Sequence, residues 1–148
     1  MPLLVEYHHQ LEPSLEDDLN KLYVGEPSCK ALHDTPIKTL NLALECHDFR
    51  FYSGTFNAHM VCGALVVLHE GLATLDFLCV REATRRREVG STLLNEIKRY
   101  ESARRTTQLN YSLPADNKPA QDFLSANGFY LESEGDAIKH YRCELDPD

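Results

Sequence analysis

Three consecutive arginines, Arg85, Arg86 and Arg87, precede a glycine, Gly90, by a few positions. An apolar stretch comes before them and an amphipathic one after, so they would lie in a turn that opens a helix. The first N–H groups of a helix have no intrahelical acceptor, and the helix dipole adds positive potential there. Cationic side chains and a permissive glycine at this point are typical of a phosphate site. The alternative is a solvated basic loop between two core elements.

The segments on either side of the arginines have different hydrophobic periods. Before them, apolar and other positions alternate as in a strand buried on one face, with Leu75, Phe77 and Cys79 on one side and Asp76, Leu78 and Val80 on the other. This alternation puts Asp76 and Phe77 on opposite faces. After them, four apolar residues recur at helical spacing: Val89, Leu93, Ile97 and Tyr100. The sequence therefore predicts a strand, a basic turn and a helix.

Length and composition indicate one soluble domain. A chain of 148 residues can bury a hydrophobic core without disulfides or structural metals. No linker or repeat divides it, so we expect a single domain over residues 1–148. No segment approaches the roughly 18 apolar residues of a membrane helix. The N-terminus does not resemble a signal peptide either, and we expect a cytoplasmic protein.

The five cysteines are an odd number without the spacing of a disulfide framework. Cys62, Cys79 and Cys143 lie in apparent strands, which suits small buried hydrophobic residues in a reducing compartment. We therefore predict no disulfide. We also predict no metal site, since the remaining candidates match no common zinc-finger spacing: Cys29, His33, Cys46 and His47.

Charge is unevenly distributed along the chain. Residues 81–105 contain eight basic and four acidic residues, a local charge of +4. Since the whole chain has a net charge of −8, the other residues together carry −12. An acidic body with one basic patch would repel a long polyanion but accept a compact anion. No aromatic residues alternate with the arginines, as stacking on single-stranded bases would require. These features argue against nucleic-acid binding.

The order of predicted elements indicates an α+β fold. A first strand near residues 3–7 and helices near 14–22 and from 36 onwards precede three strands, at 49–56, 60–68 and 73–80, that are typical of an antiparallel meander. A strand at 108–113 follows the central helix, which implies a parallel crossover. A short helix begins at Pro119, and a hairpin of 129–132 with 138–145 ends the chain. We expect a mixed, mainly antiparallel sheet of about seven strands flanked by about four helices.

Two motifs in this order resemble the GNAT acyltransferase superfamily. Val80 to Ser91 resembles that superfamily's acetyl-CoA loop, and N-K-P-A-Q-D-F-L-S-A-N-G-F, from Asn117 to Phe129, matches its N-x-x-A…G-F pattern. The resemblance implies that acetyl-CoA or CoA is bound. Its pantetheine arm would contact the backbone of Leu78, Cys79 and Val80 and the side chain of Asn117. Its phosphates would be held by the loop and helix start: Arg85, Arg86, Arg87, Glu88, Val89, Gly90 and Ser91.

The stretch L-D-F-L-C-V-R-E-A-T-R-R-R-E-V-G is similar to the L-D-x-L-x-V-R-E-V-T-R-R-R-G-V-G of the PanZ (PanM) family. Members of that family are acetyl-CoA-dependent regulators of aspartate decarboxylase maturation. The resemblance implies that the aspartate decarboxylase precursor is the partner, with Arg81 as a residue that contacts it. Glu88 stands where the family motif has a glycine, and the segment from Cys29 to Asp48 is longer than in the family.

The alternative that the resemblance leaves open is a catalytically active N-acetyltransferase acting on a cationic amine. Such an enzyme needs a base for the amine and an acid for the departing thiolate. Many members use a tyrosine four residues before the glycine of the G-F pair, and this chain has Leu124 there. Tyr111, Tyr130 or water would have to replace it. Asp76 is the candidate base, although a carboxylate there would equally suit an ion pair or a loop cap.

Overall fold

The computed structural model describes residues 3–24, 36–45, 48–81 and 88–145, and these form seven strands and four α-helices. The strands are β1 (Leu4–His8), β2 (Phe49–Phe56), β3 (His59–His69), β4 (Leu72–Val80), β5 (Gln108–Pro114), β6 (Tyr130–Glu134) and β7 (Ile138–Glu144). The helices are α1 (Glu16–Tyr23), α2 (Pro36–Leu44), α3 (Val89–Ala103) and α4 (Lys118–Ala126). The predicted α+β class and the predicted elements are confirmed.

All seven strands belong to one sheet, in the order β1-β2-β3-β4-β5-β7-β6. Every neighbouring pair is antiparallel except β4 and β5, which are parallel because α3 returns the chain across the sheet between them. The crossover puts the start of α3 and the C-terminal ends of the two parallel strands at the same edge of the sheet. This is the edge at which open sheets commonly bind ligands.

Each face of the sheet is covered by a different pair of helices. On one face α3 and α4 pack through Leu93, Ile97 and Leu124. On the other, α1 and α2 bury Leu22 and Leu40 against β2, β3 and β4. The helical spacing of Val89, Leu93 and Ile97 that predicted α3 therefore identified its buried stripe correctly.

A buried polar network fixes α3 to the sheet. Glu101, fully buried near the C-terminal end of α3, accepts hydrogen bonds from Arg50 on β2 at 2.8 Å, from the Tyr52 hydroxyl at 2.6 Å and from the Thr106 hydroxyl at 3.0 Å. The carboxylate is thus compensated by a guanidinium and two hydroxyl groups, as a buried charge requires.

The structure corrects the prediction about cysteines in one respect. Cys62 and Cys143 are buried free thiols, as expected, but Cys79 is disulfide-bonded. The prediction of no disulfide is therefore wrong in this structure. Spacing alone misses such a pair, because the two cysteines come together only through the fold.

Two further sequence expectations concern membranes and metals. Within the described ranges, no helix is both long and apolar enough to cross a bilayer. The same ranges contain no group of three or more His, Cys, Asp or Glu side chains arranged to hold a metal ion. The candidate zinc ligands considered from the sequence, Cys29, His33, Cys46 and His47, lie outside the described residues.

Candidate cofactor site

The parallel pairing of β4 with β5 is short. It joins Leu72, Ala73 and Thr74 to Gln108, Leu109 and Asn110, and both strands then continue beyond it. Residues 75–80 of β4 therefore run past the end of the pairing with β5, while β5 remains paired with β7 on its other side. Two strands that stop pairing and continue leave a wedge between them, and the predicted pantetheine contacts Leu78, Cys79 and Val80 lie along it.

A β-bulge interrupts β4 just before those residues. Leu65 pairs with Asp76 and Gly63 pairs with Cys79, so Phe77 and Leu78 stand opposite a single residue of β3. Phe77 has a φ of 54°, the left-handed region that a bulky residue rarely adopts. The extra residue shifts the alternation: Leu75 packs in the α3–α4 core, but Phe77 packs in the α1–α2 core.

The bulge also corrects the predicted orientation of Asp76. Its strand partner, Leu65, belongs to the α1–α2 core, so Asp76 faces the same side as Phe77 and not the opposite one. Asp76 is exposed, and its Oδ1 accepts a hydrogen bond from the Phe77 N–H at 2.8 Å. At least part of its role is thus to cap the bulge. Regular alternation gave the wrong face because an inserted residue reverses it.

The end of β4 contacts the start of α3. Gly90 lies so close to its neighbours that an added Cβ would be 2.9 Å from Cζ of Phe123 on α4 and 3.3 Å from Cγ2 of Val80. Glycine therefore allows α3 to pack closely against α4 and β4, a role that spacing alone did not reveal. Val89 is buried and Ser91 half-buried in the same turn, whose first N–H groups have no intrahelical acceptor.

Glu88 occupies the cap position of α3 in a left-handed conformation, with φ 57° and ψ 27°. Its side chain is exposed and makes no capping hydrogen bond, and its carbonyl accepts the bond from Thr92 that begins the helix. Glycine adopts this conformation without steric cost. The geometry explains why a glycine suits this motif position, and it puts a carboxylate beside the start of the helix.

Asn117 and Leu124 lie on α4. Asn117 is the N-cap of this helix, and its Oδ1 accepts a hydrogen bond from the Ala120 N–H at 3.3 Å. The side-chain NH₂ group is a further donor that a cofactor amide would suit. Leu124 is buried in the α3–α4 core, so the position where many relatives have a tyrosine contributes packing here.

Of the two alternative proton donors, the geometry favours Tyr111. It is half-buried on β5, beside the wedge, and burial raises the pKa of Tyr111 to about 12, with a further contribution from the charge of Asp76. The hydroxyl therefore keeps its proton at neutral pH. Tyr130 is on the far edge strand β6, separated from β5 by β7, and its hydroxyl donates to Glu144 at 2.7 Å.

One pair of polar side chains was not identified from the sequence. Ser112 on β5 and His140 on β7 face each other across the strands, with 2.6 Å between the serine Oγ and the histidine Nδ1. Ser112 lies two residues beyond Asn110, which pairs with Thr74, so the strand register puts Ser112 and Asp76 on the same exposed side of the sheet. The pairing depends on a register between residues far apart in sequence, and no local pattern indicates it.

Of the arginines predicted to bind the cofactor or the partner, only Arg81 lies within the described residues. Arg85, Arg86 and Arg87 lie outside the described residues. Arg81 follows β4 and is half-buried, and its N–H donates to the Val61 carbonyl at 2.8 Å, which extends the ladder with β3.

Comparisons with known proteins agree with this geometry. The sequence profile of the family described as "Acetyltransferase (GNAT) domain, PanZ" matches residues 2–137. No match was found among curated proteins. The fold has many similar solved structures, and we describe three of them.

The PaiA N-acetyltransferase from Thermoplasma acidophilum, in complex with coenzyme A, has a TM-score of 0.80 and 14% identity, covering 98% of this chain and 100% of that one. An acetyltransferase from Thermus thermophilus has a TM-score of 0.80 and 20% identity, covering 98% of each chain. The ribosomal-protein-S18-alanine N-acetyltransferase from Escherichia coli has a TM-score of 0.78 and 16% identity, covering 97% of this chain and 95% of that one. The three-dimensional architecture is therefore that of GNAT acetyltransferases.

Proposed function

The chain belongs to the PanZ family of GNAT acetyltransferase domains, and on that premise we propose that it binds acetyl-CoA or CoA between β4 and the start of α3. The observation that carries the proposal is the close contact of Gly90 with Val80 and Phe123. It brings the part of β4 that extends beyond the pairing with β5 next to a helix N-terminus. An extended amide chain can pair with the free edge of a strand as if it were an added strand, and the N–H groups at the start of a helix can bind a pyrophosphate.

Each predicted residue has a role within this proposal. Backbone groups of Leu78, Cys79 and Val80 bind the pantetheine arm, and the side-chain NH₂ of Asn117 donates to one of its amides. N–H groups of Glu88, Val89, Gly90 and Ser91 bind the phosphates, together with the side chains of Arg85, Arg86 and Arg87. In support, one structural neighbour is a complex with coenzyme A. The same proposal treats residues 1–148 as one cofactor-binding domain.

We further propose that the chain acts mainly as an acetyl-CoA-responsive regulator, with the aspartate decarboxylase precursor as its partner in the cytoplasm. Three features support this role: the family match, Leu124 at the usual position of the acid, and more arginines near the loop than a pyrophosphate needs. A regulator of this kind requires that the partner bind the loaded form more tightly than the empty form. Arg81, just beyond the proposed pantetheine strand, is assigned to partner contact.

Cofactor binding is tested by isothermal titration of the full chain with acetyl-CoA and with CoA. We expect saturable binding that weakens with added salt. Replacing Arg85, Arg86 and Arg87 together by alanine should lower the affinity and reduce its salt dependence, because three charges near the phosphates are lost. The matched control, Arg104→Ala with Arg105→Ala, removes charge at the opposite end of α3 and should bind as the wild type does. Gly90→Glu is a poor probe, since its side chain would collide with Phe123 in any case.

The regulatory role is tested by a pull-down of the precursor with and without acetyl-CoA. We expect retention to increase with acetyl-CoA, and Arg81→Ala to reduce retention without changing the affinity for acetyl-CoA. If the precursor from the same organism neither binds nor matures faster with the loaded protein, the regulatory role is refuted.

The second candidate function is acetyl transfer to a cationic amine, favoured by the polar groups on the exposed sheet face. Asp76 or His140 would take the proton of the attacking amine, and Tyr111 would protonate the departing thiolate. The net charge of −8 would attract a cationic acceptor. Thiol release measured over a panel of amines tests this function, and we expect slow turnover. Rapid turnover that survives both Asp76→Ala and His140→Gln would exclude these two residues as the base.

A further inference from the structure

The bulge on β4 determines which backbone groups the strand presents along its β5 side. In a strand, the N–H and C=O groups of successive residues point alternately to the two edges. One inserted residue therefore turns the backbone groups of the residues after it from one edge to the other. The insertion lies at Phe77 and Leu78, immediately before the residues proposed to bind pantetheine. The hydrogen-bond pattern available to a cofactor at Leu78, Cys79 and Val80 therefore depends on the bulge being formed.

The bulge needs support, because Phe77 is in a conformation that is unfavourable for a bulky residue. Its N–H is held by the Asp76 carboxylate at 2.8 Å. Its carbonyl accepts a hydrogen bond from the hydroxyl of Tyr23 at 2.7 Å. Tyr23 is the last residue of α1, 54 residues away in sequence, so this second contact comes from a different layer of the fold.

The Tyr23 side chain is tightly packed by its neighbours in the core. Its side chain is fully buried, and its ring packs edge-on against the Phe77 ring, with 5.9 Å between centroids. Gly63, on the neighbouring strand β3, leaves the room that the hydroxyl occupies, since a Cβ there would lie 2.7 Å from the Tyr23 oxygen. Burial raises the pKa of Tyr23 well above its usual value, so the hydroxyl remains a donor throughout the physiological range.

We propose that Tyr23 is a positioning residue, which holds the β4 bulge in the form that binds the cofactor and couples the end of α1 to that strand. This inference rests on the proposed binding of acetyl-CoA. If the bulged strand is the competent form, removing the hydroxyl lowers its population and weakens binding in proportion. By linkage, a bound cofactor stabilises the bulge and with it the last turn of α1.

The test compares Tyr23→Phe with Tyr52→Phe by acetyl-CoA titration. Both variants remove one hydroxyl from a fully buried tyrosine, but the Tyr52 hydroxyl donates to Glu101 in the network that anchors α3. We expect about tenfold weaker binding for Tyr23→Phe, the size of effect that an unsatisfied buried carbonyl can produce, and unchanged binding for Tyr52→Phe. Hydrogen exchange adds a second readout: acetyl-CoA should slow exchange in the last turn of α1 in the wild type and in Tyr52→Phe, but not in Tyr23→Phe.

The outcomes separate the inference from the proposed function. Wild-type protein that binds no acetyl-CoA overturns the proposed function. Wild-type binding with equal affinity in Tyr23→Phe overturns the positioning role alone, as does an equal loss in both tyrosine variants. If Tyr23→Phe does not fold, exposed Asp76 gives a second test of the bulge: Asp76→Ala should weaken binding, while Asp76→Asn, which keeps an oxygen acceptor for the Phe77 N–H, should restore it. Equal affinity of these two variants would overturn the role of the bulge.

Discussion

Glycine at position 88 should stabilise the protein. Glu88 has a φ of 57°, and a non-glycine residue in this region costs about 1–2 kcal/mol, a cost that glycine does not incur. Glycine also increases the conformational entropy of the unfolded chain, which offsets about 0.4–1 kcal/mol of this gain in folding stability. The comparison that isolates the backbone is Glu88→Gly against Glu88→Ala, since both lose the carboxylate. We expect the glycine variant to be more stable by about 0.5–1 kcal/mol, or roughly 2–4 °C in Tm.

The same two variants separate charge from backbone in cofactor binding. The lost carboxylate lies beside the proposed phosphate site. Unit charges about 8 Å apart, one Debye length at physiological salt, interact by about 0.5 kcal/mol in water before screening. For the two charges of a pyrophosphate, screening at one Debye length leaves about 0.4 kcal/mol, a gain of about twofold in affinity. We expect this gain in both variants by titration calorimetry. Equal stability of the two variants would refute the strain argument, and unchanged affinity in both would refute the electrostatic one.

Other predictions concern the stability of the core. Glu101→Gln should lower the free energy of unfolding, measured by urea denaturation, by about 3 kcal/mol, because it leaves the buried Arg50 guanidinium without its counter-charge. The control is Glu96→Gln, which removes a charge from an exposed pair on the same helix and should cost less than about 1 kcal/mol. Burial raises the pKa of Tyr111 and of Cys62 to about 12, so the stability that their neutral forms contribute is complete at neutral pH and is lost as the pH rises from about 9 towards 12. Thermal unfolding across this range should show the decline. The Cys62 thiol should also resist alkylation at pH 8 in folded protein and react after unfolding.

The sequence predicted most of the fold because its local patterns agree with the global architecture. The helical spacing of Val89, Leu93 and Ile97, the three strands of the meander and the helix start near Pro119 each gave a local signal for an element that the structure has. The change of period across the arginines likewise predicted a strand followed by a helix, and the structure has β4 and α3 there. These signals are short in range, and a single sequence contains them.

The features that the sequence did not predict depend on contacts between distant segments. The bulge at Phe77 is hydrogen-bonded by Tyr23 from α1, and it reversed the expected face of Asp76. The pairing of Ser112 with His140 follows from the register of β5 with β7. The packing role of Gly90 depends on Phe123, on another helix. Periodicity and spacing describe a segment by itself, and they carry no information on what the fold brings against it.

The most direct test of the account is titration of the purified full chain with acetyl-CoA, monitored by calorimetry. The account predicts saturable binding of one acetyl-CoA per chain, weakened by salt and by loss of the three consecutive arginines. Absence of saturable binding, or binding unaffected by both salt and the arginine substitutions, would contradict it.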